Sequence, residues 1–98
     1  MLETFHVPEE LEIRVPVNDM RWTTERLLEA GGMSATDAAQ TADVLIYADL
    51  RGIDTHGVSN MLRRYLKQLI DGSTNPTPEW KIVRDNKATC LIDGDGGH

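Results

Sequence analysis

Residues 58–70 carry an apolar side chain at nearly every i, i+3, i+4 and i+7 position: Val58, Met61, Leu62, Tyr65, Leu66, Leu69 and Ile70. That period predicts a helix with one apolar face, which cannot stay in water and must be covered by other elements. Met61 and Tyr65 are expected in the core on this spacing. Gly72 stops the helix, because a glycine just past the last turn takes the left-handed conformation at little cost.

Two further stripes lie upstream. Met20, Thr24, Leu27 and Leu28 share a face of a helix that opens near Asn18 or Asp19 and stops at Gly31-Gly32. Ser34 reads as the cap of the next helix, with Asp37 in its first turn. Ala38, Ala42, Leu45, Ile46 and Asp49 fall on one face of that helix, which points Asp49 toward the interior or a cleft. Arg51-Gly52 ends it, and Thr55 or His56 starts the third helix. Before the helices, Leu11, Ile13, Val15 and Val17 alternate with Glu12, Arg14 and Pro16, the pattern of a short edge strand. After them "STNPTP" reads as an extended connector. Trp80 to Arg84, a turn at Asp85-Asn86 and Ala88 to Ile92 then read as a β-hairpin. Cys90, in a period-two apolar run, is expected to be a small buried hydrophobe.

The class implied is mixed α/β, an α+β segment. Residues 1–16 form an N-terminal lead and short strand, and 17–72 a three-helix segment. Residues 73–98 form a connector, a hairpin and a glycine-rich loop. A glycine-rich loop directly behind a strand leads onward, so the chain reads as the N-terminal part of a longer protein.

The 98 residues carry 16 acidic against 10 basic side chains, a net charge of −6. A nucleic-acid surface needs a concentrated basic face. The one basic cluster, Arg63, Arg64 and Lys67, has the spacing of a solvated outer helix face, so no nucleic-acid partner is expected. The first residues, "MLETFHVPEELEIRVPV", lack the basic and apolar regions of a signal peptide. No run approaches the ~20 apolar residues of a membrane span. With a single cysteine there is no internal disulfide. The expectation is a cytoplasmic protein with no membrane partner.

"DLRGIDTHG", residues 49–57, concentrates chemistry between two helices. An arginine at a helix end presents a planar fork of donors to a carboxylate. A histidine exchanges protons near neutrality. A neighbouring hydroxyl, here Thr55, can hold the imidazole in one tautomer, and Gly57 removes bulk where a ligand would approach. A carboxylate clamp beside a proton donor suits reduction of a 2-keto acid, with hydride arriving from a cofactor. On composition and spacing alone, helix capping accounts for the same residues and comes first. His6, His56 and His98 are too scattered to mark a metal site. "DGDGG" at 93–97 lacks the later ligands of a calcium loop. It also lacks the G-x-G-x-x-G fingerprint opening a helix that a phosphate-cradling turn would carry.

"ADLRGIDTHGVSNMLRRYL" at 48–66, Gly72, "NPTPEWKIVRD" at 75–85 and "ATCLIDGDGG" at 88–97 together resemble the malate/L-lactate dehydrogenase family. This is the NAD(P)-dependent family that does not use the ordinary Rossmann domain and has sulfolactate and ureidoglycolate dehydrogenases among its relatives. The resemblance covers roughly residues 17–97. It implies part of a sulfolactate-dehydrogenase-like fold and an oxidoreductase using NAD or NADP. Its substrates would be small 2-hydroxy and 2-keto acids, and its assembly a homodimer. It implies that His56 is the catalytic acid/base or its relay, that Thr55 stands in for the family's serine beside it, and that Arg51 lies near the substrate carboxylate. Two departures stand out: Thr55 adds a methyl group, and Asn60 occupies a position where many members have arginine. The family's dinucleotide-binding region lies beyond the glycine-rich loop, so this segment is expected to be inactive alone and to expose the helix faces that pack on the missing part. The alternative is a non-catalytic helical interaction module derived from such an enzyme. A small-anion binding domain using Arg51 ranks third.

Overall fold

The computed structural model describes residues 7–98. Three helices, α1 (Val17–Ala30), α2 (Ala35–Leu50) and α3 (Val58–Asp71), precede an antiparallel hairpin of β1 (Lys81–Asp85) and β2 (Cys90–Asp93). The mixed α/β class expected from the sequence is the one observed.

The stop signals act where the sequence places them. Gly32 takes φ 106° behind α1, and its N–H donates to the Glu29 carbonyl at 2.9 Å. Ser34 Oγ accepts the Asp37 N–H at 3.1 Å, capping α2. Gly72 takes φ 82° behind α3. The start of α1 differs from expectation. The helix begins at Val17, with Pro16 as its cap residue and neither Asn18 nor Asp19 in that role. Proline's fixed φ suits the position, and its carbonyl accepts the Met20 N–H at 3.1 Å.

The edge strand expected over residues 11–17 is absent. Glu9–Leu11 forms a single 3-10 turn, and the chain then runs without ladder partners into α1. A strand exists only through pairing, and among the described residues β1 and β2 pair with each other alone. Ile13 and Val15 are accordingly exposed. Residues 1–6 of the expected lead lie outside the described part.

Leu28, Met33, Ala38, Leu45, Leu62 and Leu69 form the core, with Val58, Met61, Tyr65 and Leu66 packed against it half-buried. Each buried leucine contributes about 2 kcal/mol by leaving water. Leu27 and Ile70 lie on the expected stripes yet remain exposed. They line an open apolar groove between α1 and α3, together with Leu62 and Leu66.

In the hairpin Ile82 faces Ile92 and Arg84 faces Leu91, with a bulge between Ile82 and Arg84. The turn falls two residues later than Asp85-Asn86, at Lys87-Ala88: Asn86 N–H donates to the Thr89 carbonyl at 2.8 Å. Neither Asp85 nor Asn86 takes a positive φ; among the described non-glycine residues only Asp95 does, at 53°. Both strands are exposed along their whole length, so Cys90 is exposed and not the buried hydrophobe expected. Among the described residues no helix or second sheet covers either face of the hairpin, and a small side chain on it stays in water.

Thr24 is fully buried on α1, and among the described residues its hydroxyl has no hydrogen-bond partner. An unsatisfied buried hydroxyl is costly, so Thr24→Val, which keeps the shape, is expected to raise stability in urea denaturation by about 1 kcal/mol. The Asp71 carboxylate accepts from Ser73 Oγ at 2.6 Å and from Ser73 N–H at 2.9 Å. These bonds, the hydroxyl's first, hold its pKa below the ordinary 3.8. A carboxyl group lowered on folding adds stability above its unfolded pKa and loses it as pH falls through the folded value. Ser73→Ala is expected to move the Asp71 titration upward, read by carboxyl NMR, and to weaken the loss of stability on acidification.

Candidate functional site

The chain leaves α2 through tight backbone bonds: Gly52 N–H reaches the Asp49 carbonyl at 3.0 Å and Ile53 N–H the Ala48 carbonyl at 2.9 Å. Asp54–His56 then forms a 3-10 turn, and α3 begins only at Val58. Thr55 and His56 therefore lie before α3 and do not start it. They sit on a short projecting turn between two helix ends.

Within that turn Thr55 Oγ1 lies 2.8 Å from His56 Nδ1. A hydroxyl that donates to Nδ1 leaves the ring proton on Nε2, the tautomer that presents a proton outward. His56 is exposed. Arg51 is not drawn to this pair. Its guanidinium carbon stands 3.3 Å from the centroid of the Tyr47 ring, and Nη1 donates to the Tyr47 carbonyl at 3.4 Å. A stacked arginine of this kind keeps most of its donor fork available to an anion. Among the described residues Arg51 forms no ion pair, with Asp54 or any other carboxylate. The structure thus joins Thr55 to His56 and sets Arg51 on its own aromatic platform.

Two residues organise the turn. Asp49 points inward from the last turn of α2, as its place on the apolar stripe predicts, and its Oδ2 accepts the Val58 N–H at 3.0 Å. Asn60 Nδ2 donates to the Thr55 carbonyl at 2.6 Å. The space beside Gly57 is filled by the Asp49 carboxylate, which a Cβ there would overlap. The glycine therefore admits a neighbouring side chain, and the expectation that it leaves room for a ligand is corrected. The stripe placed Asp49; no sequence signal pointed Asn60 back to Thr55, a bond that depends on the path of the turn.

Asp93 and Asp95 are occupied structurally. Asp95 Oδ2 accepts the Glu79 N–H at 3.0 Å and meets Asn75 Nδ2 at 3.2 Å, while Asp93 Oδ1 accepts the Asp95 N–H at 3.0 Å. The loop staples the connector to the end of β2. It offers no phosphate cradle opening a helix, so the described residues do not by themselves fit a dinucleotide. Among them no group of three or more His, Cys, Asp or Glu could hold a metal ion; His6 lies outside the described part. Arg63, Arg64 and Lys67 are exposed on α3, as their spacing predicts. A cleft of about 500 Å³ between α2, α3 and the connector is lined by Tyr65, Trp80 and His98 but by none of Arg51, Thr55 and His56. Arg51 and His56 are exposed and Thr55 is half-buried.

Residues 15–98 match the model of the malate/L-lactate dehydrogenase family, and the chain belongs to that family. A malate dehydrogenase of Pyrococcus abyssi is 39% identical over 97 residues, spanning 99% of this chain and 26% of its own length. The L-sulfolactate dehydrogenase of Methanocaldococcus jannaschii is 42% identical over 71 residues, 72% of this chain and 20% of its own. The solved malate dehydrogenase of Pyrococcus horikoshii superposes with a TM-score of 0.85 at 39% identity, over 94% of this chain and 26% of that one. The chain thus spans about a quarter of the length of these relatives. Among the described residues no helix is long and apolar enough to cross a membrane.

Gly57→Ala is expected to destabilise the chain by about 2 kcal/mol in urea denaturation, because the added methyl group must displace the Asp49 carboxylate or the turn.

Proposed function

We propose that these residues form the N-terminal part of an NAD(P)-dependent oxidoreductase that interconverts small 2-hydroxy and 2-keto acids. The observation that carries this reading is the Thr55–His56 hydrogen bond on an exposed turn, in a chain of the malate/L-lactate dehydrogenase family. The names of its relatives, malate and L-sulfolactate dehydrogenase, support a hydroxy-acid substrate.

In this reading His56 gives a proton from Nε2 to the carbonyl oxygen of the keto acid and takes it back in the reverse direction. Thr55 keeps the imidazole in the tautomer that makes this possible. Arg51 offers its fork to the substrate carboxylate, held in place by the Tyr47 ring. NAD or NADP would supply the hydride from a site outside the described residues. Because these residues form one side of an open surface, the 98 residues alone turn over no substrate, and the working assembly is a homodimeric cytoplasmic enzyme.

The test is NAD(P)H oxidation by the complete gene product with oxaloacetate and pyruvate. His56→Ala is expected to lower kcat by at least about 100-fold, the usual contribution of a positioned acid/base. Full activity in that variant overturns the role given to His56. The 98-residue chain, assayed in parallel, is expected to give no turnover.

A further inference from the structure

We propose that Asp49 and Asn60 are positioning residues that clamp the His56 turn from its two sides, one from each flanking helix. The inference rests on the reading of His56 as the acid/base and extends it to the residues that aim the ring.

The clamp is visible in which atoms are held. Asn60 Nδ2, on the first turn of α3, holds the carbonyl of Thr55, the residue before His56, at 2.6 Å. Asp49, on the last turn of α2, packs its carboxylate on Gly57, the residue after His56, and accepts the next N–H, that of Val58, at 3.0 Å. The backbone on both sides of His56 is thereby tied to rigid elements. The ring stays exposed, and Thr55 Oγ1 is its polar partner.

Capping alone does not call for this arrangement. α2 is capped in the ordinary way, by the serine at its own cap position. α3 has glycine there with no side-chain cap, and takes its acceptor from a residue nine positions earlier on another helix. A serine or aspartate at position 57 would serve the helix locally, but its Cβ would strike Asp49. The chain forgoes the local cap and gains a link between α2 and the peptide that follows His56. Asn60 spends its amide on the peptide that precedes it. A proton donor acts only when its ring is held within a fraction of an ångström of the reacting atom, and small misplacements from a distance cost large factors in rate.

The experiment measures kcat and KM in the complete gene product, and the ring ¹⁵N shifts of His56 in the 98-residue chain, for Asn60→Ala, Asp49→Ala and Asp49→Asn. Asn60→Ala is expected to lower kcat about 10-fold or more with little change in KM, and to move the His56 ring signals from one tautomer toward the mixture of a free imidazole. Asp49→Asn keeps an oxygen for the Val58 N–H and is expected to restore most of what Asp49→Ala loses. Should Asp49→Ala fail to fold, Asn60→Ala decides by itself. Unchanged kcat and an unchanged tautomer in Asn60→Ala overturn the proposal, provided that His56→Ala has abolished activity. Full activity in His56→Ala instead overturns the underlying reading of His56, and the two failures are thereby told apart.

Discussion

The burial of Leu28, Leu45, Leu62 and Leu69 in one cluster holds three separate helices in register, and the ends of those helices set every other feature of the molecule. α1 and α2 lie against each other, and Ala38 and Ala42 of α2 are both fully buried. α3 then lays its leucine face across the pair. Once the helices are fixed, the end of α2 and the start of α3 must be bridged by a few residues. A short bridge between fixed points has few conformations. The 3-10 turn at Asp54–His56 is the one adopted.

That bridge carries a charge problem and solves it locally. The first N–H groups of α3 need acceptors, and Asp49 supplies one from across the turn. A carboxylate near a helix N-terminus also meets the positive end of the helix dipole. The half-buried Asp49 is therefore paired by hydrogen bonding and by field. Arg51, one residue past the same helix, lies on the Tyr47 ring and leaves Asp49 to α3. The polar residues of the turn divide into those that face inward to hold it and those left facing water.

The outer surface has a different character. Ile82, Val83, Leu91 and Ile92 are exposed on the hairpin and Trp80 just before it, and Leu27 and Ile70 border an open groove. A two-stranded ribbon has too little area to build a core of its own. Leu27 and Ile70 match the expectation of exposed helix faces in a segment that spans about a quarter of its relatives' length.

The sequence by itself determined the helices and most of their ends. Their 3.6-residue stripes, Ser34, Gly32 and Gly72 act through contacts within a few residues, and such contacts are written in local order. It also set a hydroxyl next to His56, and the 3-10 turn brings Thr55 Oγ1 to Nδ1. The tertiary structure decided the rest. Whether residues 11–17 pair as a strand depends on a partner elsewhere in space, and none comes among the described residues. Whether Cys90 is buried depends on a layer over the hairpin. Whether Gly57 makes room for a ligand or for Asp49, and whether Asn60 faces solvent or the Thr55 carbonyl, depends on the angle at which α3 leaves the turn. That angle is set by leucines packing from three helices at once, a long-range condition that no local pattern encodes.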